Sequence, residues 1–175
     1  MLPLKLLSLF CLILVVMACN YPSSLTAQQT IPEDTLITLE RSICFGFCPD
    51  YKLTISADGA ITFEGRQYVK VKGLAKGSIS LEDLRKLIKA FQASSYFSLH
   101  DKYATEKDGC PEVWTDYPNV ITSIRINGKS KSISHYHGCQ DNSGTSIYPK
   151  GLTDLESKID QIVGTDKWIK SSNVQ

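Results

Sequence analysis

The chain has 175 residues, 42% hydrophobic and 21% charged, with 19 Lys+Arg against 18 Asp+Glu. That composition belongs to an ordinary globular chain and excludes collagen-like, grossly disordered and polytopic membrane proteins. A formal charge of +1 without a dense Lys/Arg run leaves no electrostatic footprint for nucleic acid, whose binding needs several phosphate contacts.

Residues 1–19 read MLPLKLLSLFCLILVVMAC, with one positive charge at Lys5, an apolar run from Leu6 to Ala18, and then Cys19. The run fits a signal-peptide core and is shorter than the roughly 20 residues a helix needs to cross a bilayer. Residues 1–18 are therefore expected to be a targeting segment. Val16-Met17-Ala18-Cys19 resembles a bacterial lipobox, with Ala18 as the small residue before the cut and Val16 where leucine is most common. On this reading Cys19 becomes residue one and carries diacylglycerol and a further acyl chain such as palmitate. At about 0.8 kcal/mol per buried methylene, two or three chains anchor a protein durably. The expected setting is the bacterial cell envelope. Within it the outer membrane is preferred, because Asn20 is not the aspartate associated with inner-membrane retention. Removing Lys5 with the signal leaves 18 basic and 18 acidic groups, so anionic headgroups would add little to the attachment. Residues 19–34 are polar, broken by Pro22 and Pro32, and read as a flexible tether.

From Thr35 the pattern alternates. Ile37, Leu39 and Ile43 share one parity, the mark of a half-buried strand. Tyr51, Leu53, Ile55 and Ala57 form a second strand, Asp58-Gly59 supplies a tight turn, and Ile61 and Phe63 return. Val69 and Val71 between lysines predict another short strand. Ser80 with Asp83 resembles a capping box, and Leu81, Leu84, Leu87, Ile88 and Phe91 follow helical spacing over about 81–93. VITSIRI, Asn127-Gly128 and KSKSISHY predict a second hairpin, pairing Ile126 with Lys129 and Val120 with His135. A last helix over about 150–163 carries Leu152, Leu155, Ile159, Ile162 and Val163 on one stripe, meets Gly164 as its cap, and is followed by Trp168 and Ile169 folding back.

Two apolar-striped helices need one apolar sheet face. The expected fold is α+β, an antiparallel sheet of about five strands with two helices packed on one face, in the order strands, helix, strands, helix. It occupies residues 35–170 as a single domain, with 171–175 a disordered tail.

Six cysteines beside two methionines is the unusual count. Cys11 leaves with the signal and Cys19 is the lipid site, so Cys44, Cys48, Cys110 and Cys139 remain. In an oxidising compartment they point to two disulfides with three connectivities. Cys44 with Cys48 and Cys110 with Cys139 are the preferred pairs, since Gly46 and Pro49 let a small ring close and the second hairpin carries Cys139 toward Cys110. Cross-pairing of the two sites is the competing arrangement.

Two chemical readings compete with this structural one. Cys44-x3-Cys48-Pro49 is similar to the copper-binding motif of Sco-type copper chaperones, but an alternating strand follows it here where a helix would be required. His135 and His137 stand two apart on a strand and share a face with Cys139. They are candidate zinc or copper ligands, yet no carboxylate stands at a convincing spacing, and partly exposed hairpin histidines are expected instead. Neither a metal nor another cofactor is expected. The sequence has no nucleophile elbow, no HExxH and no phosphate-binding glycine loop, so no catalytic residues are assigned. Asp108, Glu112, Trp114 and Asp116 place acidity and an aromatic ring in a long loop, and are the candidate binding residues.

RSICFGFCPDYKLTISADGAITFEG, VKVKG, SSYFSL, TDYPNVITSIRINGKSKSISHYHGC and IDQIVGTDKWI together resemble a family of bacterial lipoprotein domains catalogued as domain of unknown function 6438. The most specific piece is Cys44-Phe45-Gly46-x-Cys48-Pro49-x-Tyr51, with Phe47 where a small polar residue is expected. The resemblance spans roughly Thr35 to Ile169 and implies a fold unit and an envelope setting, without an activity. The expected function is therefore a non-enzymatic, lipid-anchored module that binds an envelope protein or glycan. The alternative is a metal or thiol-redox accessory protein using Cys44, Cys48, His135 and His137.

Overall fold

The alternation from Thr35 becomes real strands in the computed structural model, which describes residues 30–170. The expected signal peptide, Cys19, tether residues 19–29 and the tail 171–175 lie outside the described residues. Strands are β1 (Leu36–Arg41), β2 (Asp50–Ser56), β3 (Ala60–Gln67), β4 (Gly73–Ser78), β5 (Lys102–Tyr103), β6 (Glu112–Val113), β7 (Asn119–Ile126), β8 (Lys129–Tyr136) and β9 (Cys139–Gln140). Helices are α1 (Leu81–Ala93), α2 (Lys150–Val163) and the short α3 (Asp166–Ile169).

The main sheet has seven strands in the order β4-β3-β2-β1-β7-β8-β5, and β6 pairs with β9 in a separate ribbon. All neighbours in the main sheet are antiparallel except β5, which joins β8 in parallel. This corrects the expected five strands, and the reason is visible at both edges. β4 (GLAKGS) has almost no buried side chain and is held by its ladder to β3, while β5 is only two residues long. Neither writes an apolar alternation into the sequence. The strand expected around Val69 and Val71 is also corrected. The backbone N–H groups of Lys70 and Val71 donate to the carbonyls of Ile169 and Trp168, so this segment folds over β3 and its partner is the end of the chain. Gly65 permits that approach, since a Cβ there would lie 2.0 Å from the Val71 carbonyl oxygen.

The second hairpin adopts the expected register, Ile126 opposite Lys129 and Val120 opposite His135. Asn127 and Gly128 both take positive φ, 52° and 70°, the backbone of a two-residue turn matched to strand twist. Ser80 caps α1 by accepting the Asp83 N–H at 3.0 Å, and Gly164 ends α2 at φ 66°.

One face of the sheet is apolar. Ile37, Leu39, Leu53, Ile55, Phe63, Ile124 and Ile133 form one core with Leu84, Leu87 and Phe91 of α1 and Leu152, Leu155 and Ile159 of α2. Trp168 closes it over Phe63, ring centroids 4.9 Å apart. The other parity is polar, with Thr38 bonded to Ser123 and Arg66 paired with Glu40 and Asp50, as befits a sheet covered on one side. Residues Ile31 to Asp34 were expected in the tether but belong to the fold. Ile31 packs on the core, and the Asp34 carboxylate accepts the N–H groups of Asn127 and Gly128 at 3.0 and 2.7 Å. Among the described residues no helix is long and apolar enough to cross a membrane.

Candidate functional site

One row across the inner face of the sheet is markedly polar. Tyr51, Arg41, Val120 and His135 stand side by side across β2, β1, β7 and β8. α2 crosses these strands and answers the row from above: Glu156 meets His135 and Asp160 meets Arg41 and Tyr51. Glu156 and Asp160 are four residues apart, so one helical face presents both carboxylates.

His135 and Glu156 are fully enclosed and His137 keeps 12% of its side chain exposed. Nδ1 of His135 lies 2.8 Å from Oε1 of Glu156, and Nε2 of His137 lies 2.7 Å from Oε2. Nε2–H of His135 donates to the Tyr148 carbonyl at 3.0 Å. The two imidazole centroids are 4.9 Å apart. Burial pushes the Glu156 carboxyl up, but hydrogen bonds from His135 and His137 outweigh it and hold the group below its ordinary value. Beside this triad the Tyr51 hydroxyl donates to Asp160 at 2.6 Å and Arg41 pairs with the same carboxylate at 2.7 Å. Burial and the Asp160 charge push the Tyr51 phenol far up, so it stays a donor. For Arg41 burial works against the charge, and Asp160 more than offsets it.

The same end of the sheet carries the cysteines. Cys44 pairs with Cys48 and Cys110 with Cys139, at Cα separations of 5.5 and 5.3 Å, the connectivity preferred from the sequence. Cys44 and Cys48 therefore offer no thiolate to a metal, which corrects their place among the candidate ligands. Their five-residue ring holds up Phe45 and Phe47, 88% and 86% exposed. Phe47 meets the edge of Tyr68 at 5.4 Å, and Phe45 N–H donates to the Asp116 carbonyl, beside the half-exposed Tyr117 and Trp114. Apolar rings are thus gathered at one end from the β1–β2, β3–β4 and β6–β7 connections.

The expected binding residues separate. Asp108 is spent on Lys102 and Thr105, and Glu112 is exposed on β6. Asp116 contributes its backbone at φ 72°, and only the Trp114 ring joins the aromatic end. His135 corrects the expectation of partial exposure while His137 keeps it, and the carboxylate that seemed to be missing comes from α2. Glu156 was legible in principle. It stands at a buried position of the stripe formed by Leu152, Leu155 and Ile159, where an acid is out of place unless paired. Arg41 gives the same signal by continuing the inward parity of Ile37 and Leu39.

Among known families, the one described as Domain of unknown function (DUF6438) matches residues 35–163. No curated protein matches the chain.

Proposed function

The chain belongs to the DUF6438 family, whose description carries no activity, and we propose its function from geometry: a non-catalytic, lipid-anchored envelope module that docks on a partner protein through its aromatic end. The observation that carries this reading is the stapled ring. A ring of five residues cannot bury two phenylalanines, and the disulfide holds both outward at almost full exposure. Preorganised apolar side chains lose little entropy on binding, which is what anchor residues of an interface require. Phe45, Phe47 and the half-exposed Ile43 carry no polar side-chain atom, and this favours an apolar protein surface over a glycan. The chain enters the domain at Asp34, which caps the Asn127-Gly128 turn. β1 then runs about 20 Å, at roughly 3.3 Å per residue, before reaching the ring. The docking end is thus opposite the end of the sheet at which the chain enters β1.

Photo-crosslinking in intact cells tests the docking. A crosslinker at Phe45 is expected to trap a discrete protein adduct, and one at Asn127, on the opposite end, to trap none. A Phe47→Ser change should weaken the Phe45 adduct about tenfold or more, as for a hot-spot residue worth at least 1.4 kcal/mol. Equal adducts from both positions, or a glycan adduct, would overturn the reading. Fatty-acid labelling of wild type and Cys19→Ala tests the anchor separately, and equal label in both would remove it.

A further inference from the structure

Hydrogen bonding within the chain leaves one charge of the buried triad unassigned. Because His135 donates Nε2–H to the Tyr148 carbonyl, a neutral ring leaves Nδ1 with the lone pair. That lone pair faces a carboxylate oxygen of Glu156 at 2.8 Å, in an enclosed place. Two lone pairs repel at this distance, and in a low-dielectric interior the repulsion is strong. A positive centre must lie between them, either one more proton or a metal ion.

The surroundings are those of a metal site. The three ligand atoms offered by His135, His137 and Glu156 lie within 4.8 Å of one another. Each carboxylate oxygen faces a different imidazole nitrogen, so one ion could replace both hydrogen bonds with small side-chain movements. Imidazole ligands to metals usually hold their second N–H on a carboxylate or backbone carbonyl, which fixes the ring, and Tyr148 does this for His135. Arg41 and Asp160 neutralise one another alongside, so the triad does not need a metal ion to balance a neighbouring charge.

We propose that His135 Nδ1, His137 Nε2 and the Glu156 carboxylate bind one zinc-class divalent ion, with water in the remaining position on the partly exposed His137 side. Two imidazoles and one carboxylate form a zinc donor set, whereas calcium and magnesium take oxygen ligands. Three protein ligands leave a fourth position open, as in zinc sites that hold a water. This site is independent of the docking reading, since neither Phe45 nor Phe47 takes part. The charge balance is explicit. Without metal one proton lies between His135 Nδ1 and Glu156 Oε1 and another between His137 Nε2 and Oε2. The ion displaces both; the second moves to Nδ1 of the neutral His137 ring and the first is released, so each ion bound releases one proton.

The test is calorimetric titration of the full-length protein, cleared of metal by a chelator, with zinc chloride in two buffers of different ionisation enthalpy. The expected result is one zinc per chain and one proton released. In His137→Ala, with folding checked by circular dichroism, affinity should fall by well over about 100-fold, beyond the roughly 10–100-fold typical of losing a supporting group alone. Cobalt should give the visible absorption of a four-coordinate site in wild type and lose it in the same variant. Failure to take up zinc, uptake unchanged in His137→Ala, or uptake without proton release would each overturn the proposal. Loss of the Phe45 crosslink with zinc binding intact would instead sink the docking reading alone.

Discussion

At one end of the sheet the chain reverses within a few residues, at Asp58-Gly59 and Asn127-Gly128, and Asp34 caps the second turn. At the other end the β1–β2 connection is closed on itself by Cys44–Cys48, and the β5–β6 connection is held to β9 by Cys110–Cys139. Local backbone preference is enough for the first end. The second has long loops that no local preference closes, and it also holds the polar row, both histidines and the exposed aromatics. Tight local turns and chemistry are thus assigned to opposite ends of one sheet. This matches the general pattern in which loops on a rigid scaffold carry function.

The largest expected effect that sharpens this contrast is loss of the Cys110–Cys139 crosslink, whose sequence separation is 29. Loop-closure entropy puts its worth at about 3–4 kcal/mol, against about 2 kcal/mol for the small Cys44–Cys48 ring. In urea denaturation the Cys110→Ser/Cys139→Ser double variant should therefore lose more stability than Cys44→Ser/Cys48→Ser. The reverse order would break the idea that the long loops depend on the staple.

A smaller effect is expected at the turn end. Gly128→Ala meets no atom within 4 Å, so its cost is only that of holding an alanine at positive φ, about 1–2 kcal/mol. No change in the urea midpoint would show that the turn is less restrictive than its φ of 70° implies.

The smallest effect concerns pH. The Gly128 N–H, more than that of Asn127, holds the exposed Asp34 carboxyl below its ordinary value of 3.8. A depressed folded value means stability that is present above the unfolded value and lost as pH falls through the folded one. Asp34→Asn should therefore have a thermal midpoint that falls less than that of wild type between about pH 4 and pH 2. Parallel acid limbs in the two proteins would remove Asp34 as a turn cap.

Where neighbours in sequence are also neighbours in space, the sequence was legible. The Asn-Gly hairpin register, the α1 cap at Ser80 and both long helices follow from local rules. β4 and β5 did not, because an edge strand held by its neighbour's ladder needs no apolar side chains of its own. The candidate metal site was half legible. His135 and His137 announce themselves by spacing, while Glu156 lies on the last long helix and reaches them only when α2 crosses the sheet.

Composition, periodicity and turn chemistry determined by themselves that this is a one-sided α+β sheet with two amphipathic helices. These depend on contacts a few residues apart, and the period of the apolar residues records them. Only the tertiary structure decided that Glu156 stands between two histidines, that the ends of β1 and β8 share one polar row, and that Phe45 and Phe47 face outward at the stapled end. The first depends on how α2 crosses the sheet, the second on strand register and the third on closure of the Cys44–Cys48 ring, none of which the apolar period of a local stretch records.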